Sequence, residues 1–351
     1  MRQCPAIAFE SSPGTHRSLI MITLFARAKI NLYLEIIGAR SDGFHELVMV
    51  MQSVGLADRI TLRPLSASVI QLNCDHPQVP TDASNLAYRA AALLQKRFPN
   101  RTNRCGGVEI TIDKNIPVGA GLAGGSANAA AALFGLDVLW QLGLTRIELQ
   151  ELGAELGSDV PFCLAGGCAI ATGRGEEVDS LSHPPKLTAV LAKYRSLSVS
   201  TPWAYRAYRQ QFEHTYRLLG RPDQTSHPIE LPVDPSTIQS LPAHVRSSNM
   251  LKALSAQDFS AVGDHLHNDL EKVVLPAHPK VAQLKTVMAD QGGLGTLMSG
   301  SGPTVFTLAE TPQQAEEILT AVRTRIADAD LQLYVVPFVA QGIQIVGQAP
   351  V

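Results

Sequence analysis

A glycine-rich segment in the first half of the chain has the composition of an anion-binding loop. Residues 117–126 read Pro-Val-Gly-Ala-Gly-Leu-Ala-Gly-Gly-Ser, and a long apolar helical pattern follows them. Consecutive glycines allow backbone N–H groups to surround an anion, and the beginning of a helix adds partial positive charge. Ser126 adds a hydroxyl in the first turn. We interpret the segment as a phosphate-binding loop, in preference to a site where small residues only allow close packing.

Two better-known nucleotide-binding patterns fit this loop incompletely. Gly119, Gly121 and Gly124 satisfy G-x-G-x-x-G, but a dinucleotide fold also needs an acid about 20 residues on, at the end of a strand. The acid at that distance is Asp137, inside the predicted helix. The pattern G-x-x-x-x-G-K-[ST] has Gly125 in place of its lysine. Without that lysine the loop would lose a contact to the β- and γ-phosphates.

Two charged residues far apart in the sequence are candidates for acid–base chemistry. Lys29 is the only charge in an otherwise apolar strand pattern over residues 28–34. Asp159 precedes Pro161, which restricts the intervening residue and gives the carboxylate a rigid mount. Taken alone, Asp159 is better explained as a helix N-cap or turn aspartate before Pro161. Lys29 taken alone could be a surface lysine, but the apolar strand around it argues against that.

Three segments, in this order along the chain, resemble the GHMP family of small-molecule kinases. They are residues 28–32 (AKINL), the 117–126 loop and residues 298–304 (MSGSGPT). The resemblance extends over roughly residues 23–336. Four more segments resemble a branch of the family whose acceptor is a diphosphocytidyl ester of methylerythritol, namely residues 42–47 (DGFHEL), 157–162 (GSDVPF), 173–176 (GRGE) and 268–271 (NDLE).

The resemblance implies a phosphoryl transfer and assigns its parts. ATP would donate its γ-phosphate to the C2 hydroxyl of the methylerythritol unit, in isoprenoid precursor biosynthesis outside the mevalonate route. Mg²⁺ would be held mainly by the phosphates, with Ser126 as a candidate ligand. Asp159 matches the catalytic aspartate that takes the hydroxyl proton, and Lys29 matches the lysine that stabilises the developing alkoxide. The implied ATP-binding residues are Asn85, Lys114, Pro117, Val118, Gly119, Ala120, Gly121, Leu122, Ala123, Gly124, Gly125 and Ser126.

The resemblance also describes the acceptor end of the site. Phe44 and Tyr205 match aromatic residues that sandwich the cytosine, and His45 matches a residue that hydrogen-bonds its edge. Stacking tolerates any base, so His45 and nearby backbone must supply the choice. The implied substrate-binding residues are Asn31, Phe44, His45, Asp159, Thr201 and Tyr205.

The sequence departs from the family pattern at a few positions. Arg27 replaces a usual proline, and Phe44 replaces a common tyrosine. Ala123 and Ala127 stand where glycine and serine are frequent. A methyl group at residue 123 disfavours a positive φ there, so the sequence does not determine which backbone groups of the loop contact the phosphates.

The elements that must position these residues are interspersed strands and helices without strict alternation, which is typical of α+β domains. Ser84 or Asn85 is a candidate N-cap for the first helix, and Thr145 with Glu148 forms a capping-box pattern. The predicted strands are 22–34, 48–56, 59–62, 107–112, 166–171, 187–192, 296–298, 305–308 and 331–338. The predicted helices are 86–98, 127–140, 144–156, 202–212, 249–254, 261–271, 279–291 and 312–326.

We expect the two-domain GHMP kinase fold. Its parts would be a ribosomal-protein-S5-like α/β domain over residues 21–184 and a ferredoxin-like α+β domain over residues 185–351. Residues 1–20 have no period and are interpreted as a disordered leader or as sequence before a true start at Met21. The polar, proline-rich stretch 220–242 matches no motif and is predicted to be a surface insertion.

Composition limits the class of protein. With 45 % hydrophobic and 17 % charged residues the 351-residue chain is not intrinsically disordered. It has no apolar run of membrane-spanning length, and its net charge of -2 is not that of a basic nucleic-acid binder. Five scattered cysteines predict reduced thiols. We expect small-molecule substrates, a monomer or homodimer, and a bacterial cytoplasm, or a plastid if residues 1–20 are a transit remnant.

Three other functions remain to be distinguished from phosphorylation of a cytidine-containing acceptor. A different GHMP kinase would act without a cytidine-containing acceptor. A catalytically silent family member could act as a small-molecule sensor, although the presence of both Lys29 and Asp159 argues against it. A dinucleotide-dependent oxidoreductase is disfavoured by the missing acid at a strand end.

Overall fold

A computed structural model describes residues 20–182, 185–216 and 247–350. The predicted leader, up to residue 19, and the stretch 220–242 lie outside the described residues. The strands are β1 Ile20–Ala39, β2 His45–Leu65, β3 Ile70–Cys74, β4 Gly107–Asp113, β5 Cys168–Thr172, β6 Glu177–Ser180, β7 Thr188–Tyr194, β8 His267–Asn268, β9 Gly295–Met298, β10 Val305–Ala309, β11 Leu331–Pro337 and β12 Ile343–Pro350. The helices are α1 Leu86–Arg97, α2 Pro99–Cys105, α3 Gly124–Trp140, α4 Arg146–Leu156, α5 Val160–Ala165, α6 Thr201–Phe212, α7 Ser247–Ala256, α8 Phe259–Asp264, α9 Glu271–Ala277, α10 Pro279–Ala289 and α11 Pro312–Arg325, with a 3₁₀ turn at Glu213–Thr215.

The first sheet is built around the long antiparallel pair β1 and β2. Its order is β12-β1-β2-β4-β3, with β5 on the other half of β2, β6 beyond β5 and β8 parallel to β1. The sequence predicts two strands, 48–56 and 59–62, where the structure has the single strand β2. Pairing with β1 continues through Ala57 and Asp58. The register shifts between Arg27 and Lys29, where residues 54–56 of β2 lie opposite Ala28 alone.

Helices α1 and α3 pack over one face of this sheet, and α4 packs against both helices. Alternate residues of β1, such as Ile22 and Leu24, join the buried cluster beneath α3. A Cβ at Gly135 of α3 would lie 2.4 Å from a methyl carbon of Leu62, so only glycine allows this close approach of helix and strand. Asn85 caps α1, and Thr145 and Glu148 form the capping box of α4, which confirms both predictions.

The second sheet is antiparallel throughout, in the order β11-β7-β10-β9, and it packs against α10 and α11. A further buried cluster joins the two sheets, with Ile30 and Val50 on one side and Leu191 and Phe306 on the other. The last strand, β12, crosses back and pairs with β1. The division of the chain at residues 184 and 185 stays a prediction.

The predicted helix over residues 261–271 is wrong. The chain instead ends α8 at Asp264, adds the short strand β8 beside Tyr33 and Leu34 of β1, and begins α9 at Glu271. The apolar spacing of the segment is compatible with a helix, but pairing with a distant strand decides its conformation. Within the described residues no helix is long and apolar enough to span a bilayer.

Candidate active site

A cavity of about 910 Å³ opens where the glycine loop, the beginnings of β2 and α5, and α6 meet. The whole 117–126 loop lines it, and so do most of the other predicted site residues, namely Lys29, Phe44, His45, Asn85, Lys114, Asp159, Thr201 and Tyr205. Asn31 is the exception, because it is fully buried behind Lys29. The tertiary structure therefore brings predicted site residues from six separate segments to one cavity.

The glycine loop lies on the loop of residues 299–304, between β9 and β10. A Cβ at Gly121, whose φ is +73°, would lie 2.3 Å from the carbonyl oxygen of Ser299. The Ser299 hydroxyl donates to the Gly121 carbonyl oxygen at 3.1 Å. Backbone this close explains why glycine is needed at residue 121, and it couples the second and third sequence motifs directly.

Ala123 adopts the conformation that its methyl group was expected to disfavour. Its φ and ψ of 56° and 30° are left-handed, and it is the N-cap residue of α3. The turn that directs the loop into the helix requires this geometry, so the structure carries a backbone strain of about 1–2 kcal/mol at this alanine. The methyl group at residue 123 therefore does not prevent the left-handed conformation.

Asp58 anchors the start of the loop, and the sequence analysis missed it. Its fully buried carboxylate accepts backbone N–H bonds from Asn115 and Ile116, both at 2.8 Å. Its other oxygen accepts from the Lys114 ammonium at 2.5 Å and from the Asn128 amide at 2.8 Å. Asp58 thus joins β2 to the residues before the loop and to α3. Its signal in the sequence is a lone acid within a strand pattern.

The candidate catalytic pair is formed by β1 and the start of α5. The Lys29 ammonium lies 3.6 Å from Oδ2 of Asp159 and donates to Oδ1 of Asn31 at 2.6 Å. Lys29 is 4 % exposed, so it is not the surface lysine of the alternative interpretation. Asp159 occupies the N-cap position of α5, but its side chain makes no capping hydrogen bond. Its carboxylate, which lines the cavity, is left available to a substrate.

The 268–271 segment positions the 299–304 loop. The Asn268 amide donates to the carbonyl oxygens of Met298 and Gly300, both at 2.7 Å. Glu271 accepts the backbone N–H of Met298 at 2.9 Å. A Cβ at Gly300 would lie 3.5 Å from the Lys29 ammonium, so this loop packs directly beside the candidate catalytic pair.

The opposite end of the cavity is aromatic and basic. Phe44 is half exposed, as expected for a residue just after the Asp-Gly turn, and the Arg174 guanidinium lies 5.1 Å from its ring centroid. The His45 and Tyr205 rings are 5.2 Å apart. Burial, together with the nearby charge of Arg209, lowers the pKa of His45 to about 4 and keeps the imidazole neutral.

His45 Nε2 is hydrogen-bonded to the hydroxyl of Tyr216 at 2.8 Å. Tyr216 is another residue that the sequence analysis missed, since nothing in its local sequence marks it. Arg206 and Arg209 of α6 were missed for the same reason, whereas Arg174 lies in the 173–176 segment but was not assigned to the site.

Two other predicted residues have structural partners. The Asn85 side chain caps α1, donates to the carbonyl oxygen of Pro80 and lines the cavity beside residues 78–80. Thr201, the first residue of α6, shares a hydrogen bond of 2.8 Å with the Ser301 hydroxyl. Both residues hold neighbouring segments of the cavity wall together.

Comparisons with known proteins identify the family and the fold. The family model for the GHMP kinases N terminal domain matches residues 85–167, and that for the GHMP kinases C terminal matches residues 250–328. The chain belongs to the GHMP kinase family, and it has that family's two-domain α+β fold.

The curated relatives narrow the comparison to one kind of enzyme. The 4-diphosphocytidyl-2-C-methyl-D-erythritol kinase of Gloeothece citriformis is 56 % identical over 323 residues, which are 92 % of this chain and 98 % of that protein. The enzyme of the same name from Nostoc punctiforme is 55 % identical over 324 residues, with the same coverage of both chains.

Solved structures of two GHMP kinases are similar to this chain. A crystal structure of 4-(cytidine 5'-diphospho)-2C-methyl-D-erythritol kinase, 32 % identical, matches with a TM-score of 0.66 over 90 % of this chain and 99 % of that one. Lactococcus lactis galactokinase shares the fold, with a TM-score of 0.62 and 16 % sequence identity. The match covers 93 % of this chain and 95 % of that one.

Proposed function

We propose that this chain is an ATP-dependent kinase that phosphorylates the C2 hydroxyl of 4-diphosphocytidyl-2-C-methyl-D-erythritol. The observation that carries the proposal is a single cavity with a phosphate loop and a lysine–aspartate pair at one end and an aromatic and histidine pocket at the other. Curated relatives at 56 % and 55 % identity bear the name of this enzyme. The reaction belongs to isoprenoid precursor biosynthesis.

In the proposed mechanism Asp159 accepts the proton of the C2 hydroxyl. As that oxygen forms its bond to the γ-phosphorus, the bond from the γ-phosphorus to the bridging oxygen breaks and ADP leaves. The Lys29 ammonium, 3.6 Å from the Asp159 carboxylate, stabilises the negative charge that develops on the attacking oxygen. Asn31 holds the ammonium in place from behind.

The glycine loop and its supports would hold the donor phosphates. Its backbone and the N-terminus of α3 face the cavity, where they would stabilise the charge of the transferring phosphoryl group. Among the described residues no group of three or more His, Cys, Asp or Glu could hold a metal ion, so the protein would offer Mg²⁺ little more than a hydroxyl such as that of Ser126 on the cavity wall. Mg²⁺, held mainly by the phosphates, would neutralise part of their charge when bound.

Mass spectrometry of the product formed from ATP and the diphosphocytidyl acceptor tests the proposal. The expected product is heavier than the acceptor by one phosphoryl group, and its fragments place that group on C2. Parallel reactions with methylerythritol phosphate, which lacks the cytidine, and with galactose are expected to give no product. Turnover of either control in preference to the cytidine substrate would assign the chain to another acceptor. ATP binding without turnover of any acceptor would favour a sensor.

Some finer expectations accompany this proposal. The site-residue assignments rest on motif matches, and the domains 21–184 and 185–351 rest on the change of secondary-structure pattern near residue 181. A cytoplasmic location and a monomeric or homodimeric state rest on composition. Fractionation of cells and light scattering of the purified protein test the last two.

A further inference from the structure

Phe44 lines the cavity without support from the buried core. It is half exposed, and it belongs to none of the three buried clusters formed by the described residues. Its backbone N–H donates to Oδ1 of Asp42 at 3.0 Å, which fixes the main chain of the turn but does not select a side-chain rotamer. A ring that has to stack on a base therefore needs another neighbour to hold its orientation.

The Arg174 guanidinium is such a neighbour. Its Cζ lies 5.1 Å from the centroid of the Phe44 ring, within the distance at which a cation is attracted to the face of an aromatic ring. The guanidinium is planar, so it also packs well on an aromatic face. A guanidinium over one face of the ring leaves the opposite face for a ligand.

Arg174 is itself held by hydrogen bonds in two directions. Its Nε donates to Oε1 of Glu176 and its Nη2 to the carbonyl oxygen of Ala154, both at 3.2 Å. Oε2 of Glu176 accepts the backbone N–H of Arg174 at 2.7 Å. A Cβ at Gly173, whose φ is +68°, would lie 2.8 Å from this carboxylate oxygen, so glycine allows the carboxylate to reach the arginine. The 173–176 segment thus fixes the position of one guanidinium.

The same turn packs against the segment that carries Asp159. Ala154, which accepts from the guanidinium, lies in the last turn of α4. A Cβ at Gly175, whose φ is +109°, would lie 3.6 Å from the Cβ of Ser158, the residue before Asp159. Arg174 therefore connects the aromatic end of the cavity to the part of the chain that holds the candidate catalytic carboxylate.

We propose that Arg174, fixed by Glu176, is a positioning residue that holds the Phe44 ring in the orientation for stacking on the cytosine of the acceptor. This inference rests on the proposed function, because it takes the aromatic end of the cavity as the base-binding end. Arg174 acts through Phe44 and does not contact the phosphates of the acceptor. A ring that is ordered before the ligand arrives loses less conformational entropy on binding, so Arg174 increases affinity.

The test measures the binding of two probes, cytidine and CDP, by isothermal titration calorimetry. Arg174→Met removes the charge and the hydrogen-bond donors but keeps a long unbranched side chain. It is expected to raise Kd for both probes by the same factor, about threefold to tenfold. KM for the acceptor should rise similarly, whereas kcat and KM for ATP should change less than twofold. A loss confined to CDP would show that the guanidinium binds the phosphates directly, and would overturn the inference.

A double-variant cycle with Phe44→Leu tests whether Arg174 acts through the ring. Leucine keeps an apolar side chain but has no aromatic face. In this background Arg174→Met is expected to change Kd for cytidine less than twofold. Glu176→Gln is a milder variant that releases the guanidinium without removing it, and the same criterion applies to it if Arg174→Met does not fold. A loss of cytidine affinity that is as large without the Phe44 ring as with it would overturn the inference.

Arg27→Met is the matched control. The Arg27 guanidinium lies over the Phe25 ring, also at 5.1 Å, and it donates to the carbonyl oxygen of Gly55 at 2.7 Å. Neither Arg27 nor Phe25 is among the residues that line the cavity. This variant loses the same kind of contact elsewhere on the sheet and is expected to keep both Kd values within twofold. Equal weakening by Arg27→Met and Arg174→Met would contradict a specific role of Arg174.

The inference and the proposed function fail in different ways. A wild type that binds cytidine, with the expected coupling between Arg174 and Phe44, but phosphorylates no acceptor would overturn the proposed function and leave the role of Arg174 standing. An Arg174→Met enzyme that phosphorylates the acceptor with unchanged KM, and binds cytidine with unchanged Kd, would leave the kinase and overturn the inference.

Discussion

Lys29 and Asp159 have different surroundings, and this difference suits the roles proposed for them. Lys29 is buried between Asn31 and Asp159, so its ammonium is fixed within the protein. The Asp159 side chain is 31 % exposed and faces the cavity, where an acceptor hydroxyl can reach it. A fixed cation beside an accessible carboxylate is the arrangement that proton removal from an alcohol requires.

Replacing Asp159 by Asn keeps the size of the side chain and removes its ability to accept the proton. We expect kcat to fall by about 10²–10⁴ with little change in either KM. Lys29→Ala should lower kcat by a similar factor. The double variant should lower kcat by much less than the product of the two single factors, because the residues act as a unit. Steady-state kinetics with both substrates measure this. An Asp159→Asn enzyme within a few-fold of the wild type would remove Asp159 from the chemical step.

Replacing Ala123 by Gly relieves the left-handed strain at the start of α3. The left-handed conformation costs an alanine about 1–2 kcal/mol of stability. Part of the gain from Gly is offset because glycine has more conformational freedom in the unfolded chain. We expect the free energy of unfolding, measured by urea denaturation, to rise by about 0.5–1 kcal/mol. Ala130→Gly, inside the same helix, should lower it by about 1 kcal/mol or more. Destabilisation by both substitutions would show that the loop needs the methyl group.

The pKa of His45, lowered to about 4, makes stability depend on pH. As pH falls below 6.5, the His45 side chain binds a proton in the unfolded chain but not in the folded chain. The stability that the neutral, buried imidazole retains above pH 6.5 is therefore lost progressively toward pH 4. The loss amounts to about 3 kcal/mol at the lower limit. Urea unfolding from pH 7 to pH 4.5 should show a shallower decline for His45→Gln than for the wild type. Exposed His214→Gln is the control, and its decline should parallel the wild type.

At the scale of elements, the glycine loop is held by contacts at its base and on its surface. Asp58, in β2, binds the residues that precede the loop, and the 299–304 loop packs against Gly121. The 268–271 segment in turn fixes the 299–304 loop. Three motifs that are distant in sequence are therefore connected by direct contacts at the proposed binding site of the donor phosphates.

Asp58→Asn should damage the loop selectively. The new amide would place a donor against the Lys114 ammonium and the Asn128 amide, and it would leave the lysine charge buried without its partner. Breaking a buried pair in this way costs about 3–5 kcal/mol of stability, and we expect KM for ATP to rise tenfold or more while KM for the acceptor stays within a few-fold. The surface pair of Arg59 and Asp113 supplies the control, since Asp113→Asn should cost about 0–1 kcal/mol. Equal effects of the two variants would contradict the anchoring role of Asp58.

At the scale of the whole molecule, the last strand connects the two ends of the chain. β12 pairs with β1 from Ile20 to Ala26, and a buried cluster extends from the first sheet to the second. Ile343 and Ile345 pack against the cluster under α3, whereas Val346 points outward. The C-terminal segment therefore contributes to the stability of the half of the molecule that holds the glycine loop.

Ile345→Ala tests this connection, with Val346→Ala as the neighbour on the opposite face of the strand. Truncation of the half-buried isoleucine should lower the free energy of unfolding by about 1–2 kcal/mol. Truncation of the exposed valine should lower it by less than about 0.5 kcal/mol. Both variants should unfold in a single transition that coincides with loss of ATP binding. A separate early transition in Ile345→Ala would show that β12 is not part of the same cooperative unit.

The sequence by itself determined the features whose causes lie within a few residues. The glycine loop, the caps of α1 and α4, the apolar helix α3 and the exposed position of Phe44 all follow from local pattern, and the order of the motifs identified the family. Only the tertiary structure decided the long-range contacts. Asp58 meets Lys114 across 56 residues, and His45 meets Tyr216 across 171. Such contacts depend on strand register and on packing over the whole chain. For this reason the partners of Asp58 and of His45 and the return of β12 had no local signal.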